Sequence, residues 1–197
     1  MTDSTRQQFI DVAKQLFAER GFYGTSIAAI AQQMGMTKQG LLHYFGSKEK
    51  LYAEVLQEVS ARILAKVEEV AAGDKSPALQ LEELIVSQYL SESRDHDSAR
   101  LIMRELLDNA PRAATAGSWY LKPYLERLVD LALAVDSLPD LDRPRALALI
   151  YQLLGAANYF TVSQPTLGMI FGTDLLESAG CVYEEELRKL IRSRLKN

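Results

Sequence analysis

Apolar residues recur at helical spacing along almost the whole chain, and no stretch keeps the strict alternation of a half-buried strand. The pattern commits the chain to an all-α fold. Phe9, Ile10, Ala13, Leu16 and Phe17 share one face of a first helix. Ser4 and Gln7 have the spacing of a capping box at its start, and Gly21 is placed to end it. Thr25 or Ser26 can cap a second helix over Ile27 to Met34, and Thr37 a third over Lys38 to Tyr44. A long helix is expected over 48–72, about 25 residues and roughly 37 Å. Leu51, Val55, Val59, Ile63 and Val67 form its stripe. Further helices are expected at 78–93, 97–109, 113–135, 144–162 and 181–195. Pro123 should kink the third of these or start it late. Pro165, Gly168 and Gly172 predict a loop over 163–179.

Composition narrows the class. The chain has 197 residues, 48% of them apolar and 24% charged, the balance of an ordinary globular protein. The longest apolar candidate, Ala146 to Phe160, is broken by Gln152 and Asn158, so a membrane span is not expected. Met1 to Gln8 is polar and lacks a signal-peptide core, which points to a cytoplasmic protein. Cys181 is the one cysteine, read as a packing residue, and with only His43 and His96 beside it no metal set or cofactor is expected. Acidic groups such as Glu184, Glu185 and Glu186, or Asp95, His96 and Asp97, lack a nucleophile or phosphate loop nearby, so an enzyme is not expected. Net charge is −4, but residues 1–50 carry +2 and residues 51–197 carry −6. A mildly basic head on an acidic body can still turn one face toward phosphates.

Residues 25–48 carry the chemistry. Two short helices flank a turn at Met34-Gly35-Met36, with Ala31 small where they cross. Ile27, Ile30, Met34, Met36 and Leu41 supply the apolar contacts, and Gly35 permits the left-handed backbone of a sharp turn. This is the helix-turn-helix pattern, whose second helix enters the major groove.

The run Gly21-Phe22-Tyr23-Gly24-Thr25-Ser26, Ile27-Ala28-Ala29-Ile30-Ala31, Met34-Gly35-Met36-Thr37-Lys38-Gln39-Gly40, Leu41-Leu42-His43-Tyr44-Phe45 and Ser47-Lys48-Glu49-Lys50-Leu51 resembles the N-terminal domain of the TetR/AcrR family of transcriptional regulators. The resemblance extends from about Phe9 to Tyr52 and covers a quarter of the chain. It implies a DNA-binding domain over residues 1–47 and a helical ligand-binding and dimerisation domain over 48–197. It assigns Thr25 and Ser26 to a phosphate at a helix N-terminus. Thr37, Lys38 and Gln39 would face the groove, where Lys38 can donate to guanine and Gln39 can pair with adenine. His43 and Tyr44 would touch bases and backbone, and Lys48 a phosphate. The family usually has tyrosine where this chain has Leu42, so one backbone contact is in doubt and the operator sequence cannot be carried over.

One short recognition helix reads few bases, and a two-fold dimer on a palindromic site remedies this. The resemblance implies a homodimer through helices 144–162 and 181–195. Small residues on the first (Ala146, Ala148, Gly155) and the stripe Tyr183, Leu187, Leu190 and Ile191 on the second suit that role. Tyr89, Met103, Trp119, Tyr151 and Asn158 are the candidate ligand-binding residues, for a small hydrophobic or aromatic effector. The implied function is a ligand-released repressor on double-stranded operator DNA. An activator, or an architectural DNA-binding protein without a ligand, remain alternatives.

Overall fold

The computed structural model describes residues 3–107 and 120–195, and these contain nine helices and no strand. They are α1 (Asp3–Gly24), α2 (Ile27–Gln33), α3 (Lys38–Phe45), α4 (Lys48–Ala71), α5 (Pro77–Arg94), α6 (His96–Leu107), α7 (Lys122–Leu133), α8 (Arg143–Phe171) and α9 (Thr173–Leu195).

By packing, the chain forms two compact units: the described parts of 1–62 with 97–120, and of 63–96 with 121–197. The expected boundary at residue 47 marks the end of the motif, but the first unit continues through half of α4 and takes in α6. The reason is visible in its core. On α4, Leu51, Tyr52 and Val55 are buried, and the Tyr52 ring stands edge-on to Phe17 of α1 with centroids 4.8 Å apart. The Tyr52 hydroxyl donates to Glu105 of α6 at 2.7 Å. Arg104 of α6 donates from Nε to the Ala18 carbonyl and from Nη2 to that of Glu19, both at 2.8 Å. Those carbonyls lie at the end of the first run of α1, just before Gly21 breaks the helical path at φ 72°, ψ 173°. Gly21 thus kinks the helix where the sequence predicted an end. Helix α1 already includes Ser4, and the Gln7 amide donates to Asp11 and Glu58.

The second unit is built from the rest of α4 with α5, α7, α8 and α9. Leu81, Ile85, Leu128, Ile150, Leu153 and Ile191 are among its buried side chains, each contributing roughly 1.5–3 kcal/mol of transfer free energy. Pro123 sits in the first turn of α7, so this helix starts late, at Lys122. The expected residues 113–119 of this segment lie outside the described residues.

The predicted loop over 163–179 does not exist. Helix α8 runs through Pro165 to Phe171, and Gly172, at φ 85°, makes a one-residue corner into α9. Pro165 is exposed and forfeits one backbone donor, which a 29-residue helix tolerates. A Cβ on Gly168 would lie 3.4 Å from Leu176, so the two helices close tightly beside the corner. Further along, Tyr183 of α9 stacks on Phe160 of α8 (3.9 Å, 9°), and its hydroxyl donates to the Ala156 carbonyl. Helix α8 is long and apolar enough to cross a bilayer, its richest window having a mean hydropathy of 1.2, but Leu149, Ile150, Leu153 and Ala157 are spent on the core of this unit.

Candidate nucleic-acid interface

The turn between α2 and α3 is closed by three backbone bonds. Met34 and Met36 donate to the Ala31 carbonyl, and Gly35 donates to that of Gln32. Gly35 has φ 64°, and the space a Cβ would occupy there is open, with nothing within 4 Å, so backbone conformation and not crowding demands glycine. Thr37 then caps α3, its Oγ1 accepting from the Gly40 amide at 3.1 Å. Gly40 itself is crowded, since a Cβ there would stand 3.2 Å from the Met36 methyl.

Leu41 and Phe45 are buried and anchor α3, with Phe45 edge-on to Phe9 at 6.0 Å. Helical geometry then turns Lys38, Gln39 and His43 outward, and all three are exposed, as is Thr37. Tyr44 is half-buried, with its ring 5.7 Å from Phe9 and 6.1 Å from His43. Leu42 is half-buried as well.

The other expected DNA contacts differ in kind. Ser26 is exposed and caps α2 by accepting from Ala29 at 3.1 Å. Thr25 is only 1% exposed, and its hydroxyl donates to the carbonyls of Leu16 (3.0 Å) and Gly21 (2.9 Å). It latches the corner between α1 and α2 and does not face outward. Lys48 opens α4 with its ammonium 4.2 Å from the centre of the Phe22 ring. Partial burial lowers its pKa, against the opposing charge of Glu49. The Ser47 hydroxyl accepts from Lys50, and Glu49 answers with bonds to its own backbone and to Ser47 that lower its pKa. Ser47 and Glu49 thus satisfy amides in the first turn of α4. No Asp or Glu occurs between Glu19 and Glu49, so the whole α2–turn–α3 surface is free of its own negative charge. Sequence reasoning passed over Tyr23, which stands 73% exposed at the same corner; an aromatic residue between two glycines was the available signal.

The expected ligand-binding residues scatter. Trp119 lies outside the described residues. Met103 belongs to the first packing unit, whereas the other three belong to the second. Tyr151 is 49% exposed on the outer side of α8, so it lines no interior site. Tyr89 is buried, its ring 5.1 Å from Tyr183. Asn158 is buried and accepts from the Gln88 amide at 3.2 Å. Gln88 in turn donates to Glu92 at 3.0 Å. Glu92 acts electrostatically on Tyr124 of α7, whose hydroxyl is fully buried. Sequence reasoning missed Gln88 and Glu92, and counted Tyr124 among the aromatic residues of this half without favouring it. The signal was Gln88 and Glu92, one turn apart and in helical register with the apolar Leu81, Leu84 and Ile85.

Residues 9–55 match the family model described as bacterial regulatory proteins, tetR family. The Escherichia coli K12 regulator RutR is 36% identical over 107 residues, 54% of this chain and 50% of that protein, so the match spans about half the length of the relative. A TetR-like transcriptional regulator from Rhodococcus sp. RHA1 shares the fold over 96% of this chain and 94% of its own, with a TM-score of 0.69 at 22% identity. The regulator FadR from Bacillus subtilis, solved in complex with stearoyl-CoA, aligns over 94% and 97% with a TM-score of 0.70 at 19% identity. The helix-turn-helix geometry, the matched segment and the shared fold agree, and residues 9–55 are similar to the DNA-binding segment of the tetR family of bacterial regulatory proteins.

Proposed function

We propose that this chain is a one-component repressor that binds a palindromic operator as a homodimer and is released by a small effector. The observation that carries the reading is the outward set on α3: Lys38, Gln39 and His43 are exposed on a helix anchored from behind by Leu41 and Phe45, on a surface without acidic residues. Lys38 and Gln39 read bases in the first turn. Ser26, Thr37, Tyr44 and Lys48 hold the backbone.

Two copies associate through α8 and α9. These helices expose Leu147, Tyr151, Tyr159, Val182 and Leu190, large apolar side chains that a partner copy would cover. Tyr151 thereby moves from the ligand list to the dimer face. The second packing unit takes the effector, a small molecule with a hydrophobic or aromatic frame; FadR, of the same fold, was solved with stearoyl-CoA. The effector acts by binding one conformation of the dimer more tightly, which draws the two reading heads away from the spacing of roughly 34–36 Å that successive grooves require. A regulator of this kind works in the cytoplasm, beside its DNA, and has no catalytic step.

Selection of bound fragments from a random DNA pool tests the reading. Recovered sites should be inverted repeats with half-sites one helical turn apart. On such a site Lys38→Ala should cost about 1–3 kcal/mol and relax the sequence preference at one position. Lys48→Ala should weaken all sequences alike and flatten the salt dependence by about one charge. Recovery of sites without symmetry, or unchanged binding in both variants, would overturn it.

A further inference from the structure

We infer that the effector carries a cationic hydrogen-bond-donating head, of the protonated-amine class, and that Gln88, Glu92 and Tyr124 receive it inside the second unit. The inference rests on the effector reading above and adds the chemistry of the ligand.

Helix α5 buries two carboxylates, Glu82 and Glu92, each 4% exposed. The fold treats them in opposite ways. Glu82 accepts from Arg188 at 3.0 Å and from Nε and Nη2 of Arg192 at 2.8 and 2.7 Å. Its charge is neutralised and both oxygens are used. Glu92 has one bond, from the Gln88 amide to Oε1, and among the described residues no cation acts on it. Among the described residues its Oε2, which is buried, has no hydrogen-bond partner, nor have Gln88 Oε1 and the Tyr124 hydroxyl.

The remaining bonding capacity is one-sided. The Gln88 amide has spent its protons on Glu92 and Asn158, leaving only a carbonyl lone pair to offer. Glu92 Oε2, when ionised, can only accept. Tyr124 can donate or accept. Orphaned buried polar atoms are rare in folded proteins. Here one is an oxygen of Glu92 itself, one belongs to Gln88, which bonds Glu92, and one to Tyr124, on which the Glu92 charge acts, in a unit whose core is mainly apolar. A protonated primary amine offers three donors, no acceptor and one positive charge, and so matches the set. An alcohol satisfies at most part of it, and a carboxylate is repelled. Desolvation raises the Glu92 pKa to about 7 and, with Glu92 as the second cause, raises that of Tyr124 further from neutrality. An entering cation would relieve the first shift by restoring the carboxylate its counter-charge.

Calorimetry on the full-length protein tests this with phenylbutylamine and octylamine against the matching alcohols and carboxylates. At neutral pH the amines should bind about 10–100-fold more tightly than the alcohols, the worth of a charge-assisted bond in a dry site. The carboxylates should not bind. Glu92→Gln should abolish the preference for amine over alcohol. Tyr124→Phe, which keeps the ring and the packing, should weaken amine binding by about tenfold. Amines that bind no better than alcohols, a preference that survives Glu92→Gln, or failure of every probe to bind would overturn the inference and leave ordered water as the partner of these atoms. Operator binding measured alongside separates the two readings. If the amine binds through Glu92 and leaves operator affinity unchanged, the effector role fails while the site stands. If only neutral or acidic probes release the DNA, the regulator stands and the site falls.

Discussion

Thr25 belongs to the motif by sequence and to the interior by structure, and replacing it with valine separates the two roles. The hydroxyl is 1% exposed and donates to the carbonyls of Leu16, before the break in α1, and of Gly21, at the break. Valine keeps the shape and removes the donor. The loss is one net hydrogen bond, with buried carbonyls left short of a proton, against a small gain from burying a methyl group. The balance is about 1–2 kcal/mol of destabilisation, which shifts the melting temperature by roughly 2–8 °C in a chain of this size. Thr25→Ser keeps the donor and should recover most of it. Both variants should bind operator normally well below their melting points, because no phosphate contact has been removed. Thermal unfolding and an operator titration at 15 °C decide the matter. A Thr25→Val protein as stable as the parent but weaker on DNA by about tenfold or more, the worth of a hydroxyl–phosphate bond, would refute the latch and restore Thr25 to the interface.

Arg104→Ala should destabilise the first unit by about 1–2 kcal/mol, since it removes two bonds from a charged donor to the Ala18 and Glu19 carbonyls; hydrogen exchange should then quicken around residues 18–22, and unchanged exchange would contradict the clamp. The two buried carboxylates of α5 should give opposite pH responses. Glu92, raised to about 7 by burial against the lowering effect of its bond from Gln88, holds a proton in the folded chain that the unfolded chain releases, so its contribution to stability declines as pH rises from the ordinary carboxylate value to about 7, then stays level. Glu82, lowered by Arg192 and Arg188, contributes stability that is lost as pH falls below the ordinary value. In urea midpoints followed against pH, Glu92→Gln should remove the first trend and Glu82→Gln the second; identical profiles for both variants would contradict the assignment.

Much of this was legible in the sequence. The helix-turn-helix depends on local devices — a capping hydroxyl, a left-handed glycine, two buried anchors — and each is written within a few residues of where it acts. The fate of Pro165 is not local. Whether a proline ends a helix or rides along its outer side depends on what packs against the other side. Here Tyr183, reaching from the next helix to the Ala156 carbonyl, helps hold α8 against α9. The scatter of the ligand candidates has the same origin. Aromatic residues were chosen by type, and type does not distinguish Tyr151 on an outer face from Tyr89 in the core. Glu92 was illegible because a glutamate on a helix is ordinarily solvated; only its depth makes it unusual.

Hydrogen-bond accounting sorts the hydroxyls of the motif in a way that sequence cannot. A hydroxyl has one proton, and a phosphate, which only accepts, can be held only by a group whose proton is still available. Ser26 and Thr37 act as caps by accepting from Ala29 and Gly40. Capping leaves their protons unspent, so the same side chain can fix the helix end and donate to DNA. Thr25 is used in the opposite sense, its proton already given to two carbonyls. Adjacent residues of similar chemistry therefore divide between latch and contact, and the direction of one hydrogen bond makes the division. The same rule, with the sign reversed, governs the interior: the Gln88 amide protons are spent, and lone pairs remain on Gln88 and on ionised Glu92. The outward surface is left with donors, which suits a polyanion. The buried cluster is left with acceptors, which suits a cation.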